Sequence, residues 1–385
     1  MPRSSSRTAR IMNAPIQELL SQAKISKDTI SLGQGMPFFL PPDEAVNAQI
    51  EHIHESYRYT EDAGIESLRN AICEKLMREN GIKCNPKKNI IVTAGGNQAF
   101  MNAILSITKP GDEIILIAPY YFNHLMAVQL VDCKAVIANV DADFIPDINE
   151  LRKKITRKTR AIVTVSPNNP TGVAYPPDII TEINRICAEA GIYHISDEAY
   201  EHFLFAGASH LSPASLEHGS TISLFSFSKS FGMAGYRIGY MVFPEHLYSD
   251  ILKIQDTIGI CPPVPSQYAA EAAIRIGGAY PGQFLKKLDD VRKMFIEELG
   301  KLNVQISAAN GAFYIYVHLP DKRINDWRLS LKLIEKYGVI VIPSSVFGDN
   351  VPGFRISYGN VGMERGREGI RRLIVGLREL VQCVR

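Results

Sequence analysis

The sequence predicts an α/β fold, and two observations carry that expectation. Short apolar runs of strand length, among them 89–94, 113–118, 160–165 and 221–225, alternate with longer segments of helical spacing. The turns closing several of these runs hold glycine, proline, serine and charged residues, at the strand ends where open α/β sheets take their ligands. With 385 residues, 46% hydrophobic and 21% charged, the chain is long enough for a large domain and a smaller one.

Composition excludes some partners. A formal net charge of +2 gives no reason to expect nucleic acid. No apolar run approaches the roughly 20 residues of a membrane span. The six cysteines (Cys73, Cys84, Cys133, Cys187, Cys261, Cys383) are scattered without a close pairing motif. They read as reduced thiols of a cytoplasmic protein rather than a disulfide frame or a zinc site, and no metal is expected. The first ten residues are basic, serine-rich and free of acids. Organellar transit peptides share that composition, but a frayed tail is the expectation for so short a stretch.

Taken in order, 16–23 has helical spacing, and 29–32 leads into Gly33-Gln34-Gly35-Met36-Pro37, where the backbone can pass close to a neighbour. A helix is expected over 42–55. The run beginning Tyr57-Arg58-Tyr59 opens another, reaching residue 79. Strand 89–94 runs into Gly95-Gly96-Asn97-Gln98 and a helix over 99–107. Free N–H groups and the positive end of the helix dipole converge at such a turn, which suits phosphate. Strand 113–118 ends in Pro119-Tyr120-Tyr121-Phe122-Asn123-His124. Strand 134–140 and a helix over 147–155 follow.

Strand 160–165 ends in Ser166-Pro167-Asn168-Asn169-Pro170-Thr171-Gly172, residue types that favour a tight turn. After a helix over 177–190 comes a strand closing on Asp197-Glu198-Ala199-Tyr200. An acid ending a buried strand is costly unless it meets a cation. Strand 221–225 then delivers Ser226-Phe227-Ser228-Lys229 onto a glycine-rich turn, with Arg237 eight residues on. A buried lysine has to be neutralised, paired or used covalently. Its unprotonated amine attacks carbonyls, and the guanidinium fork of Arg237 suits a phosphate dianion. An imine-forming lysine beside a phosphate cup suggests pyridoxal 5'-phosphate (PLP).

Beyond the lysine, a strand is expected over 237–243, a loop over 258–265 and helices over 266–276 and 283–299. Strands over 304–306, 312–318 and 339–342 and a helix over 326–337 follow. The chain closes with a strand over 354–358 and a helix over 364–380. Arg355, inside that apolar strand, needs an anionic partner. Each of these features has an ordinary explanation when taken singly: a surface lysine, a turn, a structural salt bridge, a packed loop tyrosine at Tyr59 or Tyr57. Their joint order and spacing do not.

That order, over nearly the whole chain, resembles the class I/II PLP-dependent aminotransferases of fold type I. The resemblance implies a large domain with a mostly parallel seven-stranded sheet and a smaller α/β domain built from both chain ends (1–45, 46–282 and 283–385). It implies a Schiff base between PLP and Lys229, and a phosphate site of Gly96, Asn97, Ser226 and Arg237. Tyr59 would reach the neighbouring site, so that the active unit is a homodimer. Tyr121 would stack on the pyridine ring, Asp197 would face its nitrogen, and Asn169 and Tyr200 its phenolic oxygen. Gly35, Asn169 and Arg355 would meet the substrate, Arg355 through its α-carboxylate. In a subset of relatives a histidine at the position of His124 braces the aspartate; an ordinary core histidine is the alternative.

The implied reaction is ping-pong transamination between an L-amino acid and a 2-oxo acid. A C–S β-lyase or a cyclopropane-forming synthase shares the same catalytic set, and a PLP-binding regulatory module is a distant third reading. No second arginine for a dicarboxylate stands out, since Arg58 and the N-terminal arginines cannot be placed from sequence. Phe38, Phe39 and Tyr120 point to apolar or aromatic donors.

Overall fold

The structure, a computed structural model, describes residues 5, 7–216 and 219–381. Thirteen strands among these form three sheets: β1 (Ile30–Ser31), β2 (Ile90–Thr93), β3 (Glu113–Ile117), β4 (Lys134–Ala138), β5 (Thr159–Val165), β6 (Tyr193–Asp197), β7 (Thr221–Ser226), β8 (Gly239–Val242), β9 (Gln305–Ile306), β10 (Tyr314–His318), β11 (Val339–Ile340), β12 (Ile342–Pro343) and β13 (Gly353–Ser357). The largest sheet has seven strands in the order β2-β8-β7-β6-β5-β3-β4. All its pairings are parallel except those of β8 with β7 and β2.

The inner strands read as continuous apolar runs because both faces are covered. Ile114, Ile115 and Leu116 in β3 and Ala161, Ile162 and Val163 in β5 are all buried. One face packs on Ala99, Phe100, Ala103 and Ile104 of the helix Gly96–Ile107. The other covers Ile183, Ile186 and Cys187 of the helix Pro177–Ala190. That helix begins on a proline, whose missing N–H has no partner to lose there, and ends on Gly191 in the left-handed region at φ 64°.

A four-stranded antiparallel sheet, β12-β13-β10-β9, stands apart from the large one. The long helix Ala279–Leu299 and the closing helix Met363–Val381 lie against it, burying Phe295, Leu299, Leu373 and Leu377 with Phe313, Ile315 and Ile356. β1 pairs in parallel with β11, Ile30 against Val339 and Ser31 against Ile340, so residues far apart in the chain lie side by side. Boundaries at 45/46 and 282/283 fall within the helices Asp43–Glu51 and Ala279–Leu299.

Several sequence expectations need correction. The helix expected over 42–55 stops at Glu51 and continues as a 3-10 turn, Ile53–Tyr57. The one expected to reach residue 79 is α-helical only over Glu66–Lys75, then widens into a π-type turn, Leu76–Asn80, before Gly81 reverses the chain at φ 68°. Arg237 does not begin β8: it adopts φ 51°, and the strand starts at Gly239. Helices Phe122–Leu130 and Tyr248–Gly259 were not anticipated. The first has no side-chain cap and spreads its apolar residues widely, so it lacks both a start signal and a clear stripe.

The described part of the expected frayed tail is tied down. Thr8–Arg10 forms a turn, and Arg7 and Arg10 bind Asp132 at 2.9 and 2.8 Å. Residues 1–4 lie outside the described residues. Nor are the cysteines all isolated: the sulfurs of Cys73 and Cys84 are 2.9 Å apart. Among the described residues no helix is long and apolar enough to cross a membrane. No group of three or more His, Cys, Asp or Glu among them is placed to hold a metal ion.

Candidate active site

Strand direction gathers the site. β3, β5, β6 and β7 run parallel, so their carboxyl ends share one edge of the sheet, and the antiparallel β8 brings its amino end to the same edge. Asp197 is the last residue of β6 and Ser226 the last of β7. Tyr121 follows β3, Asn169 follows β5, and Arg237 precedes β8. A cavity of about 300 Å³ lies over this edge. It is lined by Gly35, Gly96, Asn97, Tyr121, Asn169, Asp197, Tyr200, Ser226, Lys229, Arg237 and Arg355. Of the residues expected to bind the cofactor or the substrate carboxylate, Tyr59 stays outside, with 74% of its surface exposed.

Lys229 sits in the short helix Phe227–Ser230, capped by the Ser226 hydroxyl accepting from the Ser228 N–H at 3.2 Å. Its Nζ donates to the Gly35 carbonyl at 2.5 Å. Burial, then the nearby charges of Arg355 and Arg237, push its pKa down to about 8, with Asp197 pulling the other way. About a tenth of the amine is therefore neutral at pH 7, against roughly one part in three thousand for an unshifted lysine.

Opposite it, Gly95 caps the helix Gly96–Ile107 at φ 84°, ψ 170°, a conformation reserved for glycine. A Cβ there would stand 2.5 Å from the Arg237 guanidinium. That guanidinium is steadied by a 2.8 Å bond from Nη1 to the Ala234 carbonyl. Helix N-terminus, Ser226, Ser228 and Arg237 together make a cup of donors with net positive character.

Asp197 receives the Ala199 N–H at 3.1 Å and faces His124 Nε2 at 3.2 Å. His124 is buried and stacks on Phe100 with centroids 4.0 Å apart, so the ring is fixed behind the carboxylate. Burial and the Asp197 charge push the Tyr121 phenol up to about 12, so it stays protonated, accepting from Asn123 Nδ2 at 2.7 Å.

Arg355, 2% exposed, is held from two sides. Nη1 donates to Asn169 Oδ1 at 2.7 Å and Nη2 to the Gly33 carbonyl at 2.6 Å. Its plane lies over the Tyr314 ring at 4.6 Å, and its Nε has no hydrogen-bond partner among the described residues. Among the described residues its hydrogen bonds go to two neutral oxygens and not to the anionic partner expected from sequence. With its carbonyl oxygen committed to Arg355, Asn169 has its NH2 left to donate.

Sequence reasoning missed Tyr314, on β10 of the smaller sheet. Its hydroxyl shares a 2.6 Å hydrogen bond with that of Tyr200. A Cβ on Gly35 would meet the same hydroxyl at 2.1 Å, so only glycine lets this segment pass. The signal was a strand with alternating aromatics, which does not tell which ring faces the cavity. Ile16, Met36, Phe122 and Ser228 also line the site. Phe38 and Phe39 do not: they pack on Phe284. Tyr120 is likewise outside the lining and lies against Gly348. Arg58 sits over the Tyr57 ring, away from the cavity.

A lysine amine with a lowered pKa, a cationic cup with no room for a Cβ at Gly95, and a carboxylate braced from behind all fit PLP. The family profile described as aminotransferase class I and II matches residues 27–373. The chain belongs to the class I and II aminotransferases. It is 33% identical over 382 residues to an aromatic aminotransferase of Arabidopsis thaliana, covering 96% of this chain and 94% of that one. It is 33% identical over 389 residues to an aspartate aminotransferase of Pyrococcus abyssi, covering 97% and 98%. Among solved structures, Thermus thermophilus aspartate aminotransferase with maleate superposes with a TM-score of 0.91 at 29% identity, covering 98% and 100%. The aromatic aminotransferase of Pyrococcus horikoshii gives 0.87 at 32%, covering 94% and 99%.

This aminotransferase is therefore a PLP-dependent enzyme of fold type I that works by the family's ping-pong cycle. When bound, PLP supplies the carbonyl that takes up amines and the ring that accepts electrons.

Proposed function

We propose that this aminotransferase moves the amino group of an L-amino acid with a large apolar side chain, aromatic ones included, to a 2-oxo acid. Lys229 holds the cofactor and, once freed, moves the proton at the substrate Cα. Gly96, Asn97, Ser226 and Arg237 take the phosphate, Asp197 the ring nitrogen, and Asn169 and Tyr200 the phenolic oxygen, while Tyr121 covers the ring face. Gly35 lets the chain pass close beside the substrate. The carrying observation is Arg355, a buried guanidinium with an unpartnered Nε among the described residues, lining the same cavity as the lysine and matched to a carboxylate. Ile16, Met36 and Phe122 add apolar surface to the lining, which supports an apolar side chain.

The same reading makes the active unit a homodimer in which Tyr59 enters the neighbouring site. Exposed Ile50, Ile53, Tyr57 and Tyr59, close in sequence, support it. The free thiols of Cys73, Cys84, Cys133, Cys187 and Cys261 support a reducing, cytoplasmic setting.

The test is a half-reaction panel: absorption spectra of the holoenzyme with single amino acids and no keto acid. Phenylalanine, tyrosine or leucine should convert the cofactor to its amine form and release one keto acid per site, and Lys229→Ala should not. Aspartate alone reacting would overturn the side-chain assignment. Ammonia and pyruvate released from cysteine conjugates would make elimination the reaction.

A further inference from the structure

Behind the catalytic lysine, on the face away from the cavity, a second group of polar side chains is buried. Lys75, 1% exposed, donates from Nζ to Glu201 Oε1 at 2.5 Å and to Asn80 Oδ1 at 2.8 Å. Asn80 Nδ2 donates to the other Glu201 oxygen at 2.7 Å. His202 bridges Ser230 Oγ at 2.8 Å and Glu79 Oε2 at 3.1 Å. Glu201 and His202 follow Tyr200 directly, and Ser230 follows Lys229. The groups gripping them from outside, Lys75, Glu79 and Asn80, all belong to one turn of chain. That turn is bounded by Cys73 and Cys84.

Those two cysteines meet. Cys73 lies in the helix Glu66–Lys75, and Cys84 returns after the π-type turn and Gly81. Their sulfurs are 2.9 Å apart, and Cys73 Sγ also approaches the Cys84 carbonyl at 3.4 Å. Both are only partly buried, so a small reagent can reach them. The backbone bond from Ile82 N–H to the Leu76 carbonyl, 3.0 Å, holds the turn closed next to the pair.

We propose that Cys73 and Cys84 are a reversible disulfide site, and that closing it stiffens the turn that backs the PLP pocket. The oxidant is a low-molecular-weight disulfide of the glutathione type. The Cys73 thiolate attacks one of its sulfurs and expels a thiolate. The Cys84 thiolate then displaces the second, so two protein thiols are oxidised and one small disulfide is reduced to two thiols. Cys73 is the attacking member: the hydrogen bond from Cys84, and to a lesser degree Arg69, hold its thiol below the usual range, whereas Cys84 is pushed up.

The experiment uses holoenzyme equilibrated with excess glutathione disulfide, or with dithiothreitol, and desalted. Thiol titration of the unfolded protein should show two fewer thiols after oxidation. Peptide mapping should place a cross-link between Cys73 and Cys84, and dithiothreitol should reverse it. A ring of this size should raise Tm by about 3 °C and slow the release of PLP, and Cys84→Ser should lose both effects. No cross-link, or one joining other cysteines, overturns the site. A cross-link that leaves Tm and PLP release unchanged overturns the stiffening.

Discussion

At the scale of single residues, chemistry is set by what surrounds a group. Lys229 was legible in the sequence as a lysine on a buried strand's end. Its poise was not, because that comes first from burial and then from Arg355, more than a hundred positions away, and Arg237. The sign follows from a lowered pKa: the amine is charged below about pH 8 and free to attack above it. Uptake of PLP by cofactor-free protein should therefore accelerate through a midpoint near pH 8, followed by absorbance. A midpoint near 10.5 would show that the neighbours do not act on the amine. Arg355 was equally visible, but its two holds, on Asn169 and on the Gly33 carbonyl, were not. Arg355→Lys keeps the charge and loses the fork, so the donor KM should rise on the order of 100-fold while PLP remains bound. Unchanged donor saturation would remove Arg355 from the carboxylate site.

Elements come next, and here the strands were far easier to read than their ends. β2, β3, β5 and β7 announce themselves as apolar runs between breakers. The helix Phe122–Leu130, which carries His124, gives no such signal because it is buried on several sides. The left-handed Arg237 was hidden because β-pattern continues through it in sequence. Its conformation answers to Gly95 across the cup, a contact only the fold creates. Gly95→Ala brings a Cβ against that guanidinium and forces a backbone state costing about 1–3 kcal/mol. The variant should bind PLP on the order of 10- to 100-fold more weakly, measured by titration of cofactor-free protein. Wild-type affinity would mean that the cup tolerates a methyl group and that Arg237 moves freely.

For the whole molecule, sequence order alone located the sheet edge where the site residues converge, since turns after successive parallel strands must share it. It did not reveal Tyr314, which reaches the cavity from the smaller sheet, because side-chain facing across two sheets is a tertiary property. Tyr59 poses the same question between molecules. If it serves the neighbouring site, mixing inactive Lys229→Ala with an impaired Tyr59→Ala protein should recover activity. Random pairing makes half the dimers mixed, each with one intact site, so about a quarter of wild-type activity is expected. No recovery after subunit exchange, verified by a mass tag, would place Tyr59 outside the site.

The parallel pairing of β1 with β11 also dictates when an active enzyme can exist. Ile30 and Ser31 emerge from the ribosome early, but Val339 and Ile340, which give them a strand to lie against, follow only after some 300 more residues. At about 5–20 residues per second that is an interval of tens of seconds. Throughout it, the segment bearing Gly33 and Gly35 has neither its sheet partner nor the guanidinium of Arg355 for its carbonyl. The large sheet, complete by Val242, has its lysine in place well before translation ends. The nascent protein thus carries its lysine for about a third of its synthesis without the group that gives it a substrate, and catalysis begins only when the two ends of the polypeptide meet.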